Sequence, residues 1–156
     1  MNIEFKLLAN CPEQLHRLAR LHYEELARHW VPDISYERVE QRFKEHLNHN
    51  SLPLTWVAFE NNHSVGMASL RVTDGIRLEL TPWLGGLVVD PSHRGKKIGE
   101  ELINQTKQKA REFGFEKLYL FAFNPTLPQW YEKLGWKFLD YDQLFGHKVT
   151  IMSINL

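Results

Sequence analysis

The chain has 156 residues, of which 43% are hydrophobic and five are tryptophan, and this composition predicts a folded protein with one substantial core. Nineteen basic and nineteen acidic residues give a formal net charge of zero, which argues against a protein that recruits nucleic acid or an anionic membrane through its overall field. A single cysteine, Cys11, excludes a disulfide within the chain and favours a reducing compartment, and because no apolar stretch approaches the roughly 20 residues of a membrane helix, the sequence predicts a cytoplasmic protein.

The N-terminal third predicts a strand followed by two helices. Apolar residues alternate over residues 2–8, which is the period of a half-buried strand. The first helix is predicted to begin near Pro12 and to end near Trp30, because Pro32 disfavours its continuation. The second helix is predicted to begin after Ser35, which is a favourable N-cap residue.

The middle of the chain predicts strands. Residues 54–60 and 64–72 have the strand period and flank Asn61-Asn62, which predicts a hairpin. Residues 82–89 form a nearly continuous apolar run, typical of a strand buried on both faces. Gly85 and Gly86 interrupt this run, so they indicate a bulge or a close approach by a ligand or another backbone. A packing gap beside a large aromatic side chain would explain the two glycines equally well.

The C-terminal part alternates helices and strands. The spacing of apolar residues predicts a helix over residues 98–113 that Gly114 ends, and then a strand over residues 118–123. A short helix over residues 127–134 follows, and residues 136–141 and 148–154 are predicted to form an antiparallel pair. The predicted fold class is therefore α/β, in the order β-α-α-β-β-β-α-β-α-β-β, and we expect residues 1–156 to form a single domain.

The junction between the strand at residues 82–89 and the following helix is the most informative segment. After Pro91 the chain enters a basic loop with two glycines, residues 94–99, which leads directly into the helix. Free N–H groups at a helix N-terminus carry partial positive charge, and glycines let a backbone approach a pyrophosphate closely. The segment therefore predicts a phosphate site, although basic turns before helices are also common on solvated surfaces.

Two motifs in this order resemble those of the GCN5-related N-acetyltransferase (GNAT) superfamily. Residues 94–99 are similar to its loop Gln/Arg-x-x-Gly-x-Gly/Ala, which follows a strand ending Val-x-Pro, except that Lys97 stands where the family usually has glycine. Asn124 is followed seven residues later by Tyr131, and residues 130–136 resemble the family's Phe-Tyr-x-x-Leu-Gly-Phe segment. The resemblance covers about residues 54–156, and the N-terminal third matches in pattern only.

The resemblance implies a mixed, mainly antiparallel central sheet flanked by helices, and a ligand that is an acyl-CoA, most often acetyl-CoA. It implies that backbone N–H groups of the loop hold the pyrophosphate, namely those of Arg94, Gly95, Lys96, Lys97, Ile98 and Gly99. The strand backbone at Leu87, Val88 and Val89 would then lie along the pantetheine arm, which Asn124 or its neighbouring backbone would also bind.

Two groups carry the chemistry that the resemblance implies. The N–H of Leu87 would face the thioester carbonyl, where negative charge grows in the transition state. Tyr131, which is also expected to contact the cosubstrate, matches the tyrosine that protonates the departing thiolate in many family members. Without the flanking motif, Tyr131 would be interpreted as an aromatic residue that packs in the core.

The base that deprotonates the attacking amine is ambiguous. Glu79 is the first candidate, because it lies just before the central strand, four positions upstream of Trp83, where some relatives have a glutamate. Five alternatives remain open, each of which could equally be a solvated side chain: His22, Glu24, Glu25, His29 and His147. Four aromatic residues could line an acceptor pocket or pack in the core: Trp30, Trp83, Phe121 and Phe123.

The predicted function is transfer of an acetyl group from acetyl-CoA to a primary amine by direct attack. The alternatives are a longer acyl donor, a noncatalytic acyl-CoA-binding module, and a nucleic-acid binder, which the neutral charge disfavours. No metal is expected, because His46 and His49 lack a third ligand, and Cys11 has no partner that would make it a nucleophile. The acceptor is left open among polyamines, amino acids, antibiotics and protein N-termini, as is a homodimer.

Overall fold

The structure is a computed structural model that describes residues 2–156, and its seven strands form one sheet in the order β1-β2-β3-β4-β5-β7-β6. All neighbouring strands are antiparallel except β4 and β5, which are parallel. The predicted order of helices and strands and the mainly antiparallel sheet are thereby confirmed. The strands are β1 (Ile3–Leu7), β2 (Leu54–Glu60), β3 (His63–Arg71), β4 (Trp83–Val89), β5 (Lys117–Ala122), β6 (Lys137–Leu144) and β7 (His147–Asn155).

Two helical segments cover one face of the sheet. The first comprises α1 (Leu15–His22), a π-helical stretch (Tyr23–Ala27) and α2 (Arg28–Trp30), so its predicted end near Trp30 is confirmed. The second is α3 (Tyr36–Lys44), where the Oγ of Ser35 accepts a hydrogen bond from the N–H of Arg38 at 3.2 Å, as the predicted N-cap requires. The sequence did not predict the π-helical stretch, which lies against β4.

The opposite face is covered by α4 (Ile98–Glu112), which Gly114 ends with a φ of +90°. Its apolar side, which includes Leu102 and Ile103, packs on inward-facing residues of β2 and β3 such as Ala58 and Ala68. The remaining helix, α5 (Leu127–Lys133), precedes β6. No helix within residues 2–156 combines the length and the apolar character that a membrane span requires.

The parallel strands β4 and β5 pair at one point only, between Trp83 and Tyr119. Beyond this pair, toward their C-terminal ends, the two strands are no longer joined by ladder hydrogen bonds. The centre of the sheet therefore contains a cleft, and ligand sites of α/β sheets are commonly found beyond the C-terminal ends of strands.

Candidate active site

A β-bulge distorts β4 at the edge of this cleft. Gly85 pairs with Ser69 and Val88 with Met67, so that Gly86 and Leu87 together face the single residue between them on β3. Gly86 has a φ of +58°, which glycine adopts without a steric penalty. Of the alternatives that the paired glycines left open, the structure shows the bulge.

The bulge leaves the N–H of Leu87 without a strand partner. The N–H of Asp90 donates to the carbonyl of Val65 at 2.8 Å, so this N–H lies on the edge of β4 that faces β3. N–H groups of an antiparallel strand point alternately to its two edges. The N–H of Val88 therefore also points toward β3, whereas the N–H groups of Leu87 and Val89 point toward the cleft. An extended ligand in the cleft could therefore hydrogen-bond to β4 as an added strand does.

The basic loop leads into α4 through two residues in the left-handed conformation. Gly95 and Lys97 have φ values of +80° and +63°, so Lys97 adopts the left-handed conformation at the position where the resembled family usually has glycine. Lys97 is also the N-cap of α4, and its carbonyl accepts the N–H of Glu101 at 3.1 Å. In the described chain the N–H groups of residues 98–100, in the first turn of α4, have no hydrogen-bond partner, and such groups attract anions.

Two chambers occupy the cleft. The loop chamber, of about 650 Å³, lies along Leu87–Val89 and the loop from Arg94 to Gly99. The inner chamber, of about 330 Å³, lies on the other side of the bulge, against Gly85, Gly86 and the ends of α1 and β5. Residues that line both chambers are Leu26, Trp30, Leu87, Asn124, Leu127 and Tyr131. The predicted site residues of β4, the loop and α5 are thus brought together except Lys96, which lines neither chamber and whose Nζ lies 3.6 Å from a carboxylate oxygen of Glu60. The chambers meet at Leu87 and Tyr131.

Asn124 and Tyr131 lie at this junction. The Oδ1 of Asn124 accepts hydrogen bonds from the N–H and Oγ1 of Thr126 at 2.9 and 2.8 Å, which orders the turn before α5. Tyr131 is only 6% exposed and its ring packs against Trp130 and Trp136. Burial raises the pKa of the Tyr131 phenol, so this group is a proton donor at neutral pH.

A buried arginine forms the floor of the inner chamber. Arg71 is 5% exposed; its Nε donates to Nε2 of His46 at 3.1 Å and its Nη1 donates to Oδ1 of Asp74 at 2.8 Å. The same carboxylate oxygen accepts from Nη2 of Arg42 at 3.1 Å. The Nη2 of Arg71 is buried and has no partner in the described chain.

The guanidinium of Arg71 explains why residues 85 and 86, at the start of the bulge, are both glycines. A β-carbon at Gly85 would lie 2.6 Å from Nη1 of Arg71, and one at Gly86 would lie 3.2 Å from its Nη2. The group that approaches these glycines closely is therefore an arginine side chain and not another backbone. A packing gap beside an aromatic side chain does not explain them.

Only some of the candidate bases lie at the two chambers. Glu79 is exposed in the loop between β3 and β4 and lines neither chamber, so it is not brought to the site. Glu24, His29 and His147 also line neither chamber, whereas Glu25 lines the loop chamber.

His22 is the predicted candidate that lies in the inner chamber. Burial, and then the charge of Arg71, lower its pKa well below the ordinary value, so the imidazole is neutral. Its Nδ1 has no partner in the part of the chain that the structure describes.

Aromatic side chains form one wall of the inner chamber. The rings of Trp30 and Phe123 stack with centroids 5.2 Å apart, and Phe121 contacts Phe123 edge-on. All three line the chamber, whereas Trp83 is fully buried in the core. Three of the four aromatic residues considered for an acceptor pocket therefore line the inner chamber.

The remaining reactive side chains have structural partners. Nδ1 of His46 bonds the carbonyl of Arg42 at 2.9 Å, and His49 bonds the side chain of Asn10. Burial raises the pKa of Cys11 to about 11, so its thiol is a poor nucleophile. Across residues 2–156 no three His, Cys, Asp or Glu side chains form a group that could hold a metal ion.

Sequence reasoning missed Arg71, Arg42 and Asp74. A signal for two of them was present, because Arg71 ends an apolar strand and Asp74 follows three residues later. The spacing alone does not show that both lie against the bulge, since that depends on the pairing of β3 with β4.

Comparisons with known proteins point in one direction. The model of the "Acetyltransferase (GNAT) family" matches residues 15–136 of this chain. An aminoglycoside 6'-N-acetyltransferase solved in complex with coenzyme A is 19% identical with a TM-score of 0.74, over 99% of this chain and 97% of that one. No curated protein matches the sequence.

Two further solved structures have the same fold. An acetyltransferase from Streptococcus agalactiae is 24% identical with a TM-score of 0.71, over 99% of this chain and 98% of that chain. A chain of the NatC complex bound to Gag peptide and CoA is 17% identical with a TM-score of 0.74, over 100% and 99%. At these identities the likeness shows the fold alone.

Proposed function

The chain belongs to the GNAT acetyltransferase family and is an acyltransferase, and we propose that it transfers the acetyl group of acetyl-CoA to a primary amine by direct attack. One observation carries the proposal: the unpaired N–H of Leu87 and the buried phenol of Tyr131 lie where a phosphate-binding loop chamber meets a separate inner chamber. Two substrates that enter from opposite sides would meet there.

Coenzyme A fits the loop chamber. Its pyrophosphate needs a cluster of N–H donors, which the first turn of α4 offers without competing partners, and Lys97, which lines the chamber, adds positive charge. Its pantetheine amides need an extended partner, which the cleft-facing edge of Leu87–Val89 offers. The solved relatives bound to CoA support this assignment.

The bulge gives the reaction an oxyanion donor. When the amine nitrogen attacks the thioester carbon, negative charge develops on the carbonyl oxygen, and the N–H of Leu87 stabilises it because no strand competes for this donor. The C–S bond then breaks, and Tyr131 supplies the proton that the departing thiolate takes up.

The amine must lose its proton before it attacks. Of the predicted candidates, His22 supports this role best, because its neutral imidazole lines the inner chamber beside Gly86. Because burial and the charge of Arg71 lower its pKa, this imidazole does not retain the amine proton and passes it on to water.

We also propose a cytoplasmic location. Cys11 is the single cysteine of the chain and is buried as a free thiol, which is typical of proteins in reducing compartments.

Binding and turnover together test the proposed function. Coenzyme A at about a hundred times its dissociation constant should add roughly 2.7 kcal/mol to the free energy of unfolding, whereas NAD should add nothing. Release of CoA from acetyl-CoA should then depend on an added amine. Stabilisation by CoA without turnover of any amine would favour a noncatalytic acyl-CoA-binding module, and a thermal melt unchanged by millimolar CoA would contradict both.

A further inference from the structure

Arg71 carries a donor that the protein does not use. Its Nε and Nη1 are bound by His46 and Asp74, but its Nη2 has no hydrogen-bond partner in the described chain, although the whole side chain is only 6% exposed. Leaving a buried charged donor unpaired is costly, so such a group is expected to have a partner in the working protein.

The unpaired Nη2 lies against the bulge, and the residue that carries it lines the inner chamber. It lies 3.2 Å from the position that a β-carbon of Gly86 would occupy, and the imidazole of His22 lies 3.5 Å from the same position. Arg71, His22 and Gly86 all line this chamber. A second unpaired nitrogen, Nδ1 of His22, belongs to the same group of residues.

The charges of the inner chamber favour an anion. Its charged lining residues are Arg42, Arg71 and Asp74, which leaves one positive charge in excess. Oδ1 of Asp74 is already shared by both guanidiniums, and His22 and His46 are neutral. The charge of Arg71 is also the main reason why the pKa of Arg42 is lowered. A polycation would therefore be repelled, whereas a carboxylate would be bound.

The position of this donor also limits how far the amine can lie from the carboxylate. Gly86 precedes Leu87, and consecutive Cα atoms are about 3.8 Å apart. A carboxylate on Nη2 of Arg71 therefore places the groups one or two carbon atoms away beside the N–H of Leu87, where the thioester carbonyl is held in the proposed function. The aromatic wall of Trp30 and Phe123 lies in the same chamber.

We propose that the acceptor is a free amino acid whose carboxylate is bound by Arg71, whose amine attacks beside Leu87 and whose apolar side chain packs against Trp30 and Phe123. This inference rests on the proposed function and specifies its acceptor. A free amino acid matches the chamber's volume of about 330 Å³, which is at the lower end for small-ligand sites.

Three compounds that share the phenethylamine unit test the proposal: phenylalanine, phenylalaninamide and phenethylamine. Initial rates of CoA release at saturating acetyl-CoA give kcat/KM for each. We expect phenylalanine to exceed both others by at least about tenfold, the scale of a charge-assisted hydrogen bond. Equal or faster turnover of the two compounds without a carboxylate would overturn the proposal.

Two variants test whether Arg71 causes the preference for a carboxylate. Arg71→Gln should remove the preference for phenylalanine over phenylalaninamide while CoA still raises the melting temperature. Arg77→Gln is the matched control, because Arg77 also contacts two carboxylates, those of Asp140 and Asp142, but lines neither chamber. It should keep the preference. A preference that survives in Arg71→Gln would contradict the assignment of Arg71.

A binding measurement on the wild-type protein decides the question if Arg71→Gln does not fold. In the presence of CoA, titration calorimetry should show N-acetylphenylalanine binding at least about tenfold more tightly than its amide. Equal affinities would overturn the carboxylate site. The proposed function fails separately, if CoA binds but no amine of any kind is acetylated, and the calorimetric comparison still decides the carboxylate site in that case.

Discussion

The guanidinium of Arg71 lies directly against the backbone of Gly85, so closely that a β-carbon at this glycine would lie 2.6 Å from Nη1. Oδ2 of Asp74 would lie 2.9 Å from the same β-carbon. The ion pair of Arg71 with Asp74 therefore packs directly against the backbone of the bulged strand.

Gly85→Ala should accordingly destabilise the protein. The new methyl group must displace a guanidinium that His46 and Asp74 hold in place, and overpacking of this kind costs about 1–3 kcal/mol. Chemical denaturation measures the change in unfolding free energy. Gly99→Ala is the matched control, because its β-carbon would only make ordinary contacts, at 3.5 Å or more, with Trp130 and Val89. Equal stability of the two variants would contradict this account of the bulge.

Lys97→Gly should preserve CoA binding. The loop needs a left-handed residue at position 97, which glycine supplies more readily than lysine, and the N–H that faces the phosphate is unchanged. Calorimetry should give a dissociation constant within about threefold of wild type, since only an auxiliary surface charge is lost.

Gly99→Glu is the contrasting variant, because it adds bulk and negative charge to the first turn of α4. It should weaken CoA binding strongly. Loss of binding in Lys97→Gly together with unchanged binding in Gly99→Glu would mean that the pyrophosphate binds elsewhere.

How far the sequence could predict this site depends on how local each feature is. The glycine loop and the Ser35 cap are set by neighbouring residues, so their residue types alone predicted them, whereas the paired glycines indicated the bulge as one of several alternatives. The inner chamber unites Arg71 with His22 and His46, which lie on separate elements and meet only when the helices pack on the sheet. Glu79 was chosen for its place before the strand, and the loop that carries it leaves it in solvent.

Tyr131→Phe should slow turnover with little effect on stability. The substitution keeps the ring that packs against Trp130 and Trp136 and removes only the hydroxyl. General acid catalysis contributes about 10²- to 10⁴-fold, so kcat should fall within or slightly below this range if water partly replaces the donor. Tyr119→Phe, a β5 tyrosine that lines neither chamber, is the control. Wild-type turnover by Tyr131→Phe, with chemistry rate-limiting, would make Tyr131 a packing residue.

Acid should destabilise the protein through His46. Burial, and then the charge of Arg71, lower the pKa of His46 from 6.5 to about 3. The charge is close, since Nε2 of His46 accepts a hydrogen bond from Nε of Arg71 at 3.1 Å. The folded state therefore binds fewer protons than the unfolded state, and the stabilisation is fully present above pH 6.5 and is lost as the pH falls toward 3. Each pH unit in this window removes at most about 1.4 kcal/mol for this residue.

Denaturation at pH 7.5 and at pH 5 measures this effect. His46→Gln retains a donor and an acceptor but does not titrate, so its unfolding free energy should depend less on pH than that of the wild type. The lowered pKa of His22 acts in the same direction in both proteins and does not cancel the difference. Identical pH dependences would contradict the role of His46.

Acetyl transfer itself is tested most directly with acetyl-CoA that carries an isotopic label in the acetyl group. The protein is incubated with this cosubstrate and phenylalanine, and the products are separated and identified by mass spectrometry. The account predicts that the label appears on the amine nitrogen in an amount equal to the CoA released. Label recovered only as free acetate, or no release of CoA with any amine, would contradict it.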